Sequence, residues 1–289
     1  MKIGIVGAGK VGTSLAYVLK NNGFDIAGVS DNVTPSLNTA RGYLGNDVSY
    51  TKDNMDVVDA SDIIAITTQD RVIQDIAREI DARAERLDGK LFFHTSGADP
   101  SSILSPLDKK GALLGSLHPL QTFPDIESAI EVLPDTCIFI EGDKKAIPLL
   151  KRLGENIGAQ VYVITGKDKV LYHLSAVFVC NLLCALFYAG KGLMDKINID
   201  FEPFLPIIRA TLKNIEHKGP LASLTGPIVR GDVKTVKAHL ESIEDMELHR
   251  KVYKALSEVA LQMAGERKAI SEDAMQAMKE ILEKNDTGC

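Results

Sequence analysis

Residues 3–12 read Ile3-Gly4-Ile5-Val6-Gly7-Ala8-Gly9-Lys10-Val11-Gly12, an apolar strand that runs directly into a G-x-G-x-x-G turn. A helix-period pattern follows: Val11, Leu15, Ala16, Val18 and Leu19 share a face, and Asn21-Asn22-Gly23 supplies the stop. Each glycine has its own mechanical reason. Gly7 permits the tight turn, Gly9 lets a pyrophosphate approach the backbone, and Gly12 lets the helix pack close to the strand. The unpaired N–H groups and positive dipole end of the helix then face the phosphates. Gly7, Ala8, Gly9, Lys10, Val11 and Gly12 are therefore the expected dinucleotide cradle. The bare motif is weak; set inside a strand–turn–helix it is specific.

Working outward, strand and helix alternate through the first half. Asp25–Ser30 reads as a second strand. Ile63 to Thr68 is a continuous apolar run of the kind buried on both faces of a parallel sheet, and Val72, Ile73, Ile76, Ala77 and Ile80 mark the helix after it. Further strands are expected at 90–94, 113–117, 136–140 and 160–165, with a helix between the last two closed by Gly158. This alternation predicts an α/β doubly wound parallel sheet. From Gly166 onward no convincing strand is found. A long helix is expected over 168–196, then helices near 201–217, 232–243, 247–268 and 271–283, with Asp232 and Ser271 as N-caps. The expected domains are a dinucleotide-binding domain over 1–165 and an all-α domain over 166–289, with only Asn285 to Cys289 frayed.

The bulk numbers limit the function classes. The chain has 289 residues, 45% of them apolar and 25% charged, enough for two domains and a large core. A net charge of −6 and the lack of a basic run argue against a nucleic-acid surface. Four cysteines without a signal peptide predict reduced thiols in the cytoplasm. Residues 174–190, LSAVFVCNLLCALFYAG, carry no charge over 17 positions. That is just short of the ~18–20 residues needed to span a bilayer, so the expectation is a helix buried all round in a soluble core, with no membrane partner.

Ligands in such a sheet bind beyond the carboxyl ends of the strands. Three of those ends turn polar at once: Thr67-Thr68-Gln69-Asp70, His94-Thr95-Ser96-Gly97 and His118-Pro119-Leu120-Gln121-Thr122. Thr67, Thr68 and Gln69 are expected to line the cofactor cleft, while Asp70 reads equally as a cap for the next helix. His94 and His118 titrate near neutrality and are acid–base candidates, His118 the stronger because Pro119 fixes its backbone. On the long helix His173, Cys180 and Cys184 share a face, but no fourth metal ligand accompanies them, so no metal is expected. Asn181, an amide in an apolar run, needs a partner in protein or ligand. The loop Leu224-Thr225-Gly226-Pro227-Ile228-Val229-Arg230-Gly231-Asp232 offers Thr225 and Arg230 to a substrate carboxylate or phosphate, or else a salt bridge from Arg230 to Asp232 or another carboxylate that organises the loop.

With the glycine turn, GSLHPLQTF, KVLYHLSAVFVCNLLCAL and LTGPIVRGD in hand, the chain resembles the Rossmann-like NAD(P)-dependent oxidoreductases whose helical C-terminal half is a domain of unknown function. These are distant relatives of pyrroline-5-carboxylate reductase and 6-phosphogluconate dehydrogenase-type enzymes. The resemblance covers essentially the whole chain. It implies an NAD(P) domain, a C-terminal domain of the 6-phosphogluconate dehydrogenase type that dimerises through its long helix, and an active site in the cleft between them. The His-Pro pair is similar to one in prephenate dehydrogenase whose histidine contacts substrate, which would carry over to His118. Hydroxyisobutyrate-type dehydrogenases place a Lys and an Asn one turn apart early in the long helix. Here His173 and Asn181 stand in that region, with Lys169 one turn before His173, so His173 is expected to replace the lysine. The family often has Ser-Arg after the second strand; this chain has Ser30-Asp31-Asn32. Asp31, 19 residues past Gly12, suits the ribose of NAD. Ser30, Thr34 and Ser36, with Arg41 near by, would instead suit a phosphate, and NAD against NADP stays open.

The expected activity is hydride transfer to or from a small polar carbonyl, imine or alcohol, with His118, His173, Asn181 and Ser96 in the catalytic group. Arg230, Gln121 and Thr225 would bind substrate in a homodimer. A dinucleotide sensor without turnover is the alternative.

Overall fold

The computed structural model describes residues 1–283, so the expectation for Asn285 to Cys289 lies outside the described residues. The chain divides into two compact units, Met1–Leu182 and Leu183–Cys289.

The first unit alternates β1 (Lys2–Val6), α1 (Lys10–Asn21), β2 (Asp25–Ser30), α2 (Thr34–Leu44), β3 (Ser49–Thr51), α3 (Asn54–Ala60), β4 (Ile63–Ile66), α4 (Asp70–Arg83) and β5 (Leu91–His94). A 3-10 segment, Ser101–Lys110, leads to β6 (Leu113–Pro119), then α5 (Ile126–Val132), β7 (Cys137–Gly142), α6 (Ile147–Asn156) and β8 (Gln160–Val163). The eight strands form one sheet in the order β3-β2-β1-β4-β5-β6-β7-β8. All neighbours run parallel except β6 and β7, which are antiparallel with Leu117 opposite Ile140. The expected all-parallel sheet is corrected at this one seam.

Side-chain alternation sends each strand to two cores. Ile3 and Ile5 join Leu15, Leu19 and Ile26 under α1, while Val6, Ile64 and Ile66 meet Val57, Ile73 and Ile80 under α3 and α4. At ~25 cal/mol per Å² of apolar area these double-sided layers supply most of the folding drive. The short elements α2, β3, α3 and α5 and the 3-10 segment Ser101–Lys110 have no counterpart among the sequence expectations, because none shows a sustained apolar period.

Lys169–Asp195 is one long helix: α7 (Lys169–Ala176), a π-turn at Val177–Asn181, and α8 (Leu182–Asp195). The units part within this helix rather than at Thr165-Gly166, because its first turns pack on the sheet through Lys169 and Tyr172 (below). The helix is not buried all round. Val179 and Tyr188 are 74% and 80% exposed, and Leu174, Phe178, Leu182 and Leu186 are exposed too. With mean hydropathy 2.1 it is long and apolar enough to cross a membrane by length and composition. Hydropathy reports what a helix prefers to touch; among the described residues of this single chain nothing covers that surface.

The second unit adds α9 (Leu205–Ser223), broken at Gly219 (φ 74°) before Pro220, then α10 (Val233–Ser242), α11 (Glu247–Glu266) and α12 (Glu272–Glu283). Asp232 caps α10 by accepting the Thr235 N–H at 3.1 Å, and Ser271 Oγ accepts the Ala274 N–H at 3.2 Å, as the sequence predicts. Its core is small, centred on Val236, Leu240, Leu261 and Met278. A largely apolar cavity of about 610 Å³ opens between Phe187, Phe201, Phe204 and Tyr253.

Candidate functional site

Parallel neighbours β1, β4, β5 and β6 bring their carboxyl ends to one sheet edge, and the strand order reverses between β1 and β4, the switch point where ligands settle. A cleft of about 590 Å³ lies there, lined by Gly7 and Gly9, by Ser30 and Asp31 after β2, and by Thr67, Thr68 and Gln69 after β4. The glycines meet the requirements read from the motif. Gly7 has φ +107°, and a Cβ on Gly12 would overlap the Gly7 carbonyl oxygen and Thr67 Oγ1. A Cβ on Gly9 would meet nothing within 4 Å, so the backbone is open there. Thr67 Oγ1 donates to the Gly7 carbonyl at 2.7 Å and pins the turn, while the buried Thr68 Oγ1 has no partner among the described residues and suits a polar ligand. The cradle fits a dinucleotide's diphosphate.

Other cofactor residues are arranged differently from expectation. Ala8, Lys10 and Val11 do not line the cleft. The Ala8 N–H donates to Asp31 Oδ2 at 2.8 Å, and Asp31 Oδ1 accepts the Val33 N–H at 2.7 Å. The buried Ser30 hydroxyl donates to Asn54 Oδ1 at 2.8 Å, and the Arg41 guanidinium sits 4.7 Å over the Tyr50 ring. Of the expected phosphate group Ser30, Thr34, Ser36 and Arg41, only Ser30 and Ser36 line the cleft, and the Ser30 hydroxyl is already engaged. Asp70 does not cap α4, whose N-cap is Gln69; its carboxylate accepts Ser96 Oγ–H at 2.9 Å.

A second cluster forms where β5, β6 and α7 meet. His118 and Ser116 lie two apart on β6 and so share a face. His118 Nδ1 is 2.8 Å from the Tyr172 hydroxyl, and its ring meets that of His173 edge-on at 6.1 Å. Phe139 packs on Tyr172 at 4.1 Å and holds it in place. Gly97 is what lets the imidazoles converge: a Cβ there would lie 2.5 Å from His173 Nδ1 and 2.9 Å from His118 Nε2. His173 Nδ1 is buried without a partner among the described residues.

Beneath them is Lys169, 1% exposed, whose amine donates to the Ser96 carbonyl at 2.7 Å and to Ser116 Oγ. Burial lowers its pKa to about 8, against the pull of Glu141, Asp99 and Asp70. Burial first, then the Lys169 charge, then His173 lower His118 to about 4. His94 is fully buried, lowered to about 3 by burial and then by Lys169, and its Nδ1 accepts the Ser96 N–H at 3.2 Å. It is a wall of the site rather than a group facing into it. Burial raises the Tyr172 hydroxyl above its ordinary range. His94, His118 and Tyr172 are uncharged near pH 7 in consequence.

His118, His173 and the Ser96–Gly97 turn are thus brought together, although the Ser96 hydroxyl is occupied with Asp70 and Asp99. Gln121 and Asn181 are exposed, and the Gln121 amide oxygen accepts the Thr122 N–H. Thr225 and Arg230 are exposed on the loop before α10 in the second unit; Asp232 is engaged as the α10 cap rather than paired to Arg230. Lys169 and Tyr172 were absent from the expected catalytic group. A signal for both existed, since Lys169 and His173 are four apart on one helix face and Tyr172 adjoins the histidine.

Two family models match the sequence: "Rossmann-like domain" over residues 1–119 and "Domain of unknown function (DUF2520)" over residues 136–260. No curated protein matches. Among solved structures, a Thermotoga maritima protein is 24% identical with a TM-score of 0.73, covering 92% of this chain and 99% of that one. A Bacteroides fragilis protein described as a candidate NADP oxidoreductase is 24% identical with a TM-score of 0.71, covering 89% and 96%. A reductive aminase from Aspergillus terreus, solved with NADPH and ethyl-5-oxohexanoate, is 15% identical with a TM-score of 0.64, covering 98% and 92%.

Proposed function

From a chain that carries a Rossmann-like domain followed by the DUF2520 domain, we propose a cytosolic oxidoreductase that moves hydride between a nicotinamide dinucleotide and a small polar carbonyl, imine or alcohol. The observation that carries the reading is the convergence of His118 Nε2 and His173 Nδ1 on Gly97, on the same sheet edge as the diphosphate cradle. The similar folds solved with nicotinamide cofactors support it.

The bound cofactor supplies the hydride chemistry, and the chain supplies position and a proton. Gly7, Gly9 and the first turn of α1 hold the diphosphate. His173 Nδ1, buried and unpartnered among the described residues, is completed by a hydrogen bond to the substrate heteroatom. His118, kept neutral, takes the substrate O–H proton on Nε2 as hydride leaves the adjacent carbon; in reduction the imidazolium returns that proton to the oxygen or nitrogen. The Tyr172 hydroxyl fixes the ring through Nδ1. Lys169 is a positioning residue: it ties the Ser96–Gly97 turn to β6 and sets the field felt by His118.

The working form is a homodimer, in which the exposed apolar surface of Lys169–Asp195 is covered by a second copy. Val179→Glu should lower the sedimentation mass by half; an unchanged mass rules out that surface. For the activity, thermal-shift titration with oxidised and reduced NAD and NADP comes first. Saturation near 100 Kd adds about 2.7 kcal/mol of stability. A panel of carbonyls, imines and alcohols, followed by nicotinamide absorbance, comes next, with His118→Asn and His173→Asn as controls. Tight binding with no turnover on any member would replace the enzyme by a dinucleotide sensor.

A further inference from the structure

Resting on the dinucleotide reading above, we infer that the Asp31 carboxylate makes the cleft selective for NAD(H) over NADP(H). Asp31 directly follows β2, whose last residue, Ser30, pairs with Val6 at the end of β1. In this fold the adenosine ribose arrives at that point. The carboxylate is not a loose surface charge. The Ala8 N–H holds Oδ2 at 2.8 Å and the Val33 N–H holds Oδ1 at 2.7 Å, so the glycine turn and the start of α2 aim it together. Each oxygen keeps acceptor capacity beyond the amide it holds, and Asp31 lines the cleft. Ribose hydroxyls donate to such a group. A 2′-phosphate offers no hydroxyl there and brings like charge against the carboxylate.

The counter-charges a 2′-phosphate needs are missing from the adjoining segment. Residues 32–36 are Asn32, Val33, Thr34, Pro35 and Ser36, without a cation. Arg41 is stacked on Tyr50, and the Ser30 hydroxyl is given to Asn54. Lys52 and Arg71 do line the cleft, as does Glu79. Those two cations are the groups through which NADP would have to be held.

The test is calorimetric binding to the full-length protein, independent of any activity. NADH should bind at least ~30-fold more tightly than NADPH, equivalent to about 2 kcal/mol. Asp31→Asn keeps an oxygen for the Ala8 N–H but removes the charge, and should bring the two within ~3-fold with NADH binding largely retained. A test that needs no variant is displacement of NADH from the wild type. Adenosine 5′-monophosphate should compete at least ~30-fold better than adenosine 2′,5′-bisphosphate, which differs from it only by the 2′-phosphate. Equal or tighter NADPH binding, or an unchanged ratio in Asp31→Asn, overturns the assignment and leaves the oxidoreductase reading standing. Failure of both dinucleotides to bind overturns both.

Discussion

Replacing His118 by Asn measures how strongly the site disfavours a charged imidazole. In the folded chain His118 is held at about 4, down from an ordinary 6.5, by burial, the Lys169 amine and His173. The unfolded chain therefore binds a proton near pH 6.5 that the folded imidazole accepts only near 4. Between those values the unfolded state carries more protons, so the contribution is intact above pH 6.5 and is lost as the pH falls toward 4. At about 1.36 kcal/mol per pH unit the interval bounds the loss at about 3.4 kcal/mol, and about 2.6 kcal/mol of it is gone by pH 4.5. The substituted amide does not titrate and keeps a polar atom near the Tyr172 hydroxyl. Urea unfolding followed by circular dichroism at pH 8 and pH 4.5 gives the comparison. Wild type should lose about 2.6 kcal/mol more than His118→Asn over that range, because His94 and the carboxylates contribute equally to both. Stability curves that fall in parallel, within about 0.5 kcal/mol, would mean that His118 titrates as a solvated residue and that the site does not enforce its neutrality.

Lys169→Met removes the charge that, after burial, lowers His118 most, so the His118 pKa should climb from about 4 toward 6.5, read from the ring Cε1–H shift by NMR. The Ser96 carbonyl and Ser116 hydroxyl would each lose a donor, at about 1–3 kcal/mol of stability, and an unmoved His118 titration would show that the amine does not set its field. Gly9→Ala should melt within about 0.5 kcal/mol of wild type yet bind dinucleotide at least ~10-fold more weakly, since its Cβ meets no protein atom but fills the cradle. Gly12→Ala should cost about 1–3 kcal/mol or more in unfolding experiments, because its Cβ overlaps the Gly7 carbonyl. Equal stabilities for those two variants would refute the separate roles given to the glycines.

Much of the secondary structure in both units is legible along the chain because its causes are local. The β4 run Ile63-Ile64-Ala65-Ile66 is apolar at every position, and all four side chains are fully buried, as a strand covered on both faces requires. The turn glycines, the caps at Asp232 and Ser271, and the stop at Asn22-Gly23 depend on residues within a few positions of one another. The reversed direction of β7 was not legible, since the pattern Cys137–Gly142 reads the same in either orientation. Neither was the exposure of the long helix.

Residue pattern along the chain is enough to show that a strand–glycine turn–helix leads into a doubly wound sheet, that helices follow it, and that His118 and His173 are the titratable groups to watch. Periodicity, capping and the steric freedom of glycine act over a turn or a strand, so they can be read from neighbours. Tertiary structure alone decided what those groups meet. It placed Lys169 against Ser116 across 53 residues, Asp31 on the Ala8 amide across 23, and Tyr172 on His118 across 54. Burial and field come from residues brought together by chain closure, and it is they, not the imidazole's identity, that hold His118 neutral.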